Sequence, residues 1–216
     1  MKNRALIALP KGRLYEKAVD LLGRAGIRIP PAPDGSRKLV FPDADGRFDF
    51  VLLKPIDIPV YVESGAIDAG IVGSDVLRER EADVYEPVDL GIGKCRLVLA
   101  APAGVALSSA GSLRVATKYP RTAELFFRAR QLHVHIVKLD GSVEIAPLLG
   151  LADAIVDLVE TGRTLMENGM HELEDVARVS AKLIVNRTAM KMKSADVRHL
   201  ITLLDTVVYE NPGQQK

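Results

Sequence analysis

Residues 154–159 read AIVDLV, an almost unbroken apolar run rich in β-branched side chains with one carboxylate, Asp157, inside it. That is the pattern of a strand covered on both faces, which in a water-soluble chain points to a parallel sheet flanked by helices. The next five residues, Glu160-Thr161-Gly162-Arg163-Thr164, are polar, carry a glycine and two hydroxyls, and lead into an expected short helix over 165–168. A strand, a hydroxyl-rich loop and a helix start together aim unpaired N–H groups and the positive end of a dipole at one spot, which suits a phosphate. Asp157 needs compensation, because an ionised carboxylate inside an apolar run is costly unless something pairs with it. Two partners stand open: nearby backbone N–H groups, or the hydroxyls of a sugar bound beside the phosphate.

The same strand, polar exit and helix recur along the chain. A strand over 5–9 (ALIAL) leaves through Pro10-Lys11-Gly12-Arg13, and apolar residues then repeat at helical spacing from Leu14 to Ala25 before Gly26. Lys11 and Arg13 sit at a helix start, where cations oppose the dipole unless an anion arrives; the alternative is a solvated basic turn. Residues 30–47, rich in proline, glycine and charge, suit an irregular excursion with a hairpin pairing 39–41 with 48–53. Lys54-Pro55 closes that strand. Asp57 is placed as an N-cap with Pro59 in the first turn of a helix that Gly65 stops. A strand over 69–72 ends at Gly73-Ser74-Asp75, which opens a helix over 76–82, so Asp75 is a cap or a ligand contact.

Gly91-Ile92-Gly93 is a plausible hinge, setting a domain boundary near 90–94. Further strands are expected at 95–101, 113–116, 134–139 and 176–185, with helices at 122–130 and 195–208 and a polar tail from 211. Gly141 and Ser142 suit a helix cap, placing Glu144 in a first turn whose dipole favours an acid. Repetition of strand, polar loop and helix argues for an α/β fold with its ligand at the strand exits.

Charge and composition narrow the function. The 216 residues carry 29 basic and 28 acidic side chains, a net charge of +1, so anion binding has to be local rather than a general attraction to nucleic acid or membrane. Aromatic residues, at 5%, are too few for a basic stripe with stacking platforms. No apolar segment reaches membrane-spanning length, and the short one after Met1 is cut off by Pro10 and Lys11. The single cysteine, Cys95, excludes an internal disulfide and reads as core filler in a reducing cytoplasm. His133 and His135 share one face of the expected strand, with no further ligand at a metal spacing, so no protein metal site is expected. No nucleophile motif of the G-x-S-x-G kind occurs.

An acid followed by T-G-x-T resembles the phosphoribosyl-diphosphate (PRPP) loop of phosphoribosyltransferases. The salvage-type loop usually has two adjacent acids, where this chain has Val156 before Asp157, and Glu160 replaces a residue that is usually small. With its flanks, GLADAIVDLVETGRTL resembles instead the signature of the ATP phosphoribosyltransferase family. PKGRL, KPIDIPVYVESGAIDAGIVGSD, ATKYP and GSVEIAPLLGLADAI extend the resemblance over nearly the whole chain in order.

The resemblance implies two α/β lobes arranged like a type II periplasmic binding protein, with the active site in the interlobe cleft. The first lobe would comprise residues 1–92 plus 178–216 and the second 93–177. It implies attack by adenine N1 of ATP on PRPP, giving phosphoribosyl-ATP and pyrophosphate in the first step of histidine biosynthesis. Under it, Asp157, Glu160, Thr161, Gly162, Arg163 and Thr164 bind PRPP. Lys11, Arg13 and Lys54 act on the phosphate or pyrophosphate charge, and Arg13, Asp75 and Glu144 bind ATP. Mg2+ is expected with the diphosphate and ATP oxygens. The chain's length resembles the short form, implying a regulatory subunit related to histidyl-tRNA synthetase, a homodimer within a hetero-octamer, and a cytoplasmic location. Two rivals remain, a two-lobed ligand-binding module without catalysis and a salvage phosphoribosyltransferase using a free base.

Overall fold

The computed structural model describes residues 4–30, 39–105, 113–192 and 194–210. Residues 31–38 of the expected excursion and the tail from 211 lie outside the described residues. The chain divides into two compact units, Met1–Gly93 with Ser180–Lys216, and Lys94–Val179. The first opens with β1 (Ala5–Pro10), α1 (Arg13–Arg24), β2 (Val40–Pro42) and β3 (Phe48–Leu53). After a 3-10 turn (Pro55–Asp57) come α2 (Ile58–Glu63), β4 (Ala69–Gly73), α3 (Ser74–Arg80) and β5 (Tyr85–Asp89). The second unit contains β6 (Cys95–Pro102), β7 (Leu113–Thr117), α4 (Pro120–Ala129), β8 (Val134–Lys138), α5 (Ile145–Leu148), β9 (Ala154–Val159), α6 (Arg163–Glu167) and β10 (Met170–Val179). The chain then returns to the first unit as β11 (Ala181–Val185), α7 (Ala189–Met192) and α8 (Ser194–Glu210).

In the first unit the strand order is β2-β3-β1-β4-β11-β5, with β1 parallel to both β3 and β4. Alternation along the strands splits the core. Ile7, Leu9, Phe48, Phe50 and Ile71 face Leu21 and Leu22 of α1 and Leu200 and Leu204 of α8. Ala8, Val72 and Ile184 face Ile58 and Val62 of α2 and Leu77 of α3 on the other side. The first strand thus lies in the middle, and the helices after β1 and β3 cover opposite faces. The second unit repeats this plan. Its order is β10-β6-β9-β7-β8, with β7 in the middle of three parallel strands. Tyr119, Ala123, Phe126 and Phe127 around α4 cover one face, and Val143, Ala146 and Leu165 cover the other.

Several expectations are corrected. The run at 154–159 is one strand, but its sheet is mixed, because β9 is parallel to β7 and antiparallel to β6. Side chains packed on both faces of the sheet bury it, so the apolar pattern does not distinguish strand direction. The expected strand over 176–185 is two strands in two sheets, β10 and β11, parted at Ser180. Apolar residues continue through the break because Val176, Ala177 and Val179 pack in the second unit's core and Ala181, Leu183, Ile184 and Val185 are buried in the first. Asp57 closes a 3-10 turn and makes no side-chain cap bond to α2. The helix after Gly73 starts at Ser74, and β5 is an edge strand with Pro87 and mostly exposed side chains, too weak a pattern to read. Cys95 is half-buried at the start of β6, and His133 precedes β8 with its side chain exposed, as is that of His135. Among the described residues, no helix is long and apolar enough to cross a membrane.

The segment where the chain re-enters the first unit is tied by charge. Lys182 Nζ stands 2.8 Å from Asp89 Oδ2, Ser180 Oγ donates to the same oxygen at 2.9 Å, and Gly91 N–H donates to Oδ1 at 3.1 Å. Burial alone would raise the Asp89 pKa, but the Lys182, Gly91 and Ser180 donors together hold it below its ordinary value. A depressed carboxylate contributes stability above its unfolded pKa and loses it as pH falls through the folded one. Because the group is half exposed, Asp89→Asn should cost at most about 1 kcal/mol at neutral pH. The gap to wild type should close as urea unfolding is repeated at pH values falling below about 4. A gap that does not change with pH would contradict the ionic origin of the tie.

Candidate active site

Parallel strands place the exits of β3, β1 and β4 along one edge of the first sheet. Pro10 is in register with Leu53, and Lys11 N–H donates to the Leu53 carbonyl at 2.8 Å, so Lys11 and Lys54 leave their strands side by side. Gly12 then turns the chain at φ +90° into α1, with open space where a Cβ would stand. Lys11, Arg13 and Lys54 are exposed. Three cations at one strand-exit edge, one of them in the first turn of a helix, form a local positive region on a chain of almost zero net charge. Asp75 shares the edge, at the exit of β4, but is buried to 9% exposure, and its Oδ1 lies 2.1 Å from where a Cβ on Gly73 would stand. Only glycine at 73 lets that carboxylate fold back over the chain.

In the second unit the exits of β7, β8 and β9 likewise share an edge. Thr117, fully buried, closes it from inside: its hydroxyl donates to the Val156 carbonyl at 2.6 Å and accepts Tyr119 N–H at 2.9 Å. Asp157 follows Val156 on β9. It lies between Ile155 and Val159 in the alternation, on the face covered by α5 and α6. Its Oδ1 accepts Leu158 N–H at 2.8 Å, so a backbone partner, one of the two left open by the sequence, is present. Residues 160–164 follow at once. Gly162 caps α6 at φ +76°, and Arg163 lies in the first turn of the helix, two residues earlier than expected, with Nε 2.7 Å from Glu167 Oε1. Glu160, Thr161, Arg163 and Thr164 are exposed. Glu144 is half-buried at the N-cap of α5 rather than in its first turn, because Ser142 takes a left-handed φ of +49° and delays the helix.

The structure thus brings Lys11, Arg13, Lys54 and Asp75 to one edge of the first unit, and Glu144, Asp157 and residues 160–164 to one edge of the second. Sequence spacing missed the groups that support the second edge. Thr117 lies in the ATKYP string, where a hydroxyl at a strand exit marks it by position alone. Arg96 and Glu172 carry no local signal, since they sit on strands beside ordinary residues and meet only through strand pairing. Strong charge pairing occurs at the opposite edge too: Arg114 donates to both Asp153 oxygens, at 3.2 and 2.7 Å, and thereby holds the Asp153 pKa below its ordinary value. That pair ties the starts of β7 and β9, away from the loops.

Comparison with known proteins adds the family. The sequence profile of the ATP phosphoribosyltransferase family matches residues 54–206. A curated ATP phosphoribosyltransferase of Oceanobacillus iheyensis is 50% identical over 202 residues, covering 94% of this chain and 97% of that protein. The solved structure of the ATP phosphoribosyl transferase (HisG:HisZ) complex from Thermotoga maritima contains a chain with a TM-score of 0.83 and 32% identity, covering 95% of this chain and 99% of that one. The periplasmic aliphatic sulphonate binding protein SsuA of Escherichia coli shares the fold alone, with a TM-score of 0.59 at 15% identity over all of this chain and 71% of that one.

The two left-handed glycines at the edges make a contrast that can be measured. A side chain at Gly162 would meet Glu172 Oε1 at 2.8 Å as well as an unfavourable φ, whereas at Gly12 only the φ is unfavourable. Gly12→Ala should cost about 1 kcal/mol and Gly162→Ala about 2 kcal/mol or more in unfolding free energy. Equal losses in urea titrations would show that Glu172 does not crowd the loop.

Proposed function

The chain belongs to the ATP phosphoribosyltransferase family, and from that premise we propose how its own residues serve the reaction. The family reaction transfers the phosphoribosyl group of PRPP to N1 of the adenine of ATP, giving phosphoribosyl-ATP and pyrophosphate in histidine biosynthesis. The N1 lone pair forms the new bond to the anomeric carbon as the bond from that carbon to the diphosphate oxygen breaks. Charge at such a centre is oxocarbenium-like, so holding the reactants in line and stabilising developing charge supply most of the rate. No strong base is required to generate the nucleophile, because N1 already carries its electron pair.

Thr161, Gly162, Arg163 and Thr164 hold the ribose 5-phosphate, and Asp157 accepts from the ribose hydroxyls, with Glu160 at the rim of the loop. The observation that carries this is the loop itself: a left-handed glycine and two exposed hydroxyl residues immediately after β9, with a carboxylate on the covered face of the same strand. Lys11, Arg13 and Lys54 take the charge of the departing pyrophosphate. Arg13, with Asp75 and Glu144, orients the ATP. Among the described residues no group of three or more His, Cys, Asp or Glu side chains converges as a metal centre. Mg2+ would enter with the diphosphate and triphosphate oxygens of the substrates, supplying positive charge to the leaving group.

A second subunit completes the reading. The Thermotoga maritima relative was solved as a HisG:HisZ complex, and by analogy this chain works in the cytoplasm with a regulatory partner related to histidyl-tRNA synthetase. This chain forms a homodimer within a hetero-octamer.

Pyrophosphate release from Mg-PRPP should require ATP, be stimulated by such a partner and be suppressed by histidine in its presence. Release with free adenine in place of ATP would overturn the choice of acceptor. Loss of charged hydrogen bonds to the ribose in Asp157→Asn should raise KM for PRPP roughly 10- to 100-fold while leaving the thermal midpoint within about 3 °C of wild type. An unchanged KM would remove Asp157 from the PRPP site.

A further inference from the structure

The loop 160–164 has a support outside its own strand and helix. Glu172, on the edge strand β10, holds Oε1 2.8 Å from where a Cβ on Gly162 would stand. Its other oxygen, Oε2, lies 2.8 Å from Arg96 Nη1, and the same nitrogen lies 2.6 Å from Asp175 Oδ1. Strand pairing explains the meeting. Glu172 is opposite Ala100 and Asp175 opposite Val98, and these two β6 residues share a face with Arg96. On that face lie Leu165 of α6 and, one strand further, Asp157, which is opposite Val98 on its other side. Register shifts between Glu172 and Glu174 and between Asp175 and Ala177 keep both acids on the loop side. Bulges of this kind re-aim side chains beside functional sites.

A glutamate on an edge strand has three free torsions and would not hold a fixed position against a loop by itself. Ion pairing to Arg96 removes that freedom. The same pairing answers a second difficulty, that a carboxylate beside an anion site repels its ligand. Arg96 offsets one of the two negative charges it touches, and the Glu172 and then the Asp175 hydrogen bond hold its guanidinium more firmly protonated than usual.

We propose that Glu172 is a positioning residue for the phosphate loop: clamped by Arg96, its carboxylate backs Gly162 and holds residues 160–164 in the shape that receives the 5-phosphate of PRPP. The inference rests on the assignment of that loop to PRPP made above. Arg96 acts through Glu172, restraining it and compensating its charge.

The test uses the full chain, with Mg-PRPP binding followed by titration calorimetry and turnover by pyrophosphate release. Glu172→Ala should weaken PRPP binding and raise its KM about tenfold, with kcat and the KM for ATP within about twofold of wild type. Glu172→Gln, which keeps the shape and one oxygen for Arg96, should recover most of the lost affinity. Arg96→Gln leaves Glu172 and Asp175 uncompensated. Its PRPP affinity should fall about tenfold at low salt and recover toward wild type as the ionic strength approaches about 0.5 M, because screening weakens repulsion. Glu172→Ala that folds and binds PRPP within about twofold of wild type overturns the proposal. Should that variant fail to fold, an Arg96→Gln variant with unaltered affinity and salt dependence overturns it instead. A Thr161→Ala, Thr164→Ala variant separates this from the underlying assignment: if it too binds PRPP like wild type, the loop is not the PRPP site, whereas its loss beside an intact Glu172→Ala refutes the positioning role alone.

Discussion

Both units depend on the same geometric constraint, a strand flanked on both sides by the two parallel strands that follow it through crossovers. A parallel pair needs a crossover, and crossovers take one hand. When the chain goes from the central strand to one neighbour and then back past it to the other, the two crossing helices are forced onto opposite faces. In the first unit α1 and α2 are so divided, and in the second α4 and α5. Strand exits on either side of such a reversal face an open crevice instead of a covering helix. Lys11 to Arg13 and Lys54 occupy one such edge, and Glu144 with residues 160–164 the other.

The chemistry of the first edge follows from the charge that folding gathers there. With a net charge of only +1, the chain offers no general pull on an anion. Three exposed cations at the exits of β1 and β3 create a local one, and the helix start at Arg13 reinforces it rather than cancelling it. By contrast, the acids with lowered pKa values, Asp89 and Asp153, are held by Lys182 and Arg114 in structural ties. The acids with lowered pKa values therefore belong to the scaffold here, whereas Lys11, Arg13 and Lys54 stand exposed at a strand-exit edge. That division suits a reaction in which positioning and charge, not proton transfer, carry the rate.

Much of this could be read from residues alone because the informative signals are local. The run at 154–159, the glycine and hydroxyls after it, and the basic residues around Gly12 announce themselves within a few positions, and each corresponds to a strand, a left-handed turn and a helix start in the structure. Where expectation failed, a competing nonlocal effect explains it. Residues 176–185 look like one strand because apolar residues continue without a turn signal from the edge strand β10 into β11, an interior strand of the other sheet. Strand direction at 154–159 was invisible because burial on both faces looks alike whether a neighbour runs parallel or antiparallel. Glu144 moved to the cap of α5 because Ser142 adopts a backbone conformation that its residue type does not announce.

By itself, then, the sequence determined the α/β class, the strand exits that carry polar loops and the residue types available at each, since periodicity and turn chemistry act over a few residues. The tertiary structure alone decided the rest. It parted the strands of 170–185 at Ser180 between two sheets, set the strand order in each, and carried Glu172 and Arg96 to the back of the Gly162 loop. Those outcomes depend on strand pairing and register, in which each partner is selected by the shape and burial of residues far away along the chain, so no local pattern can encode them.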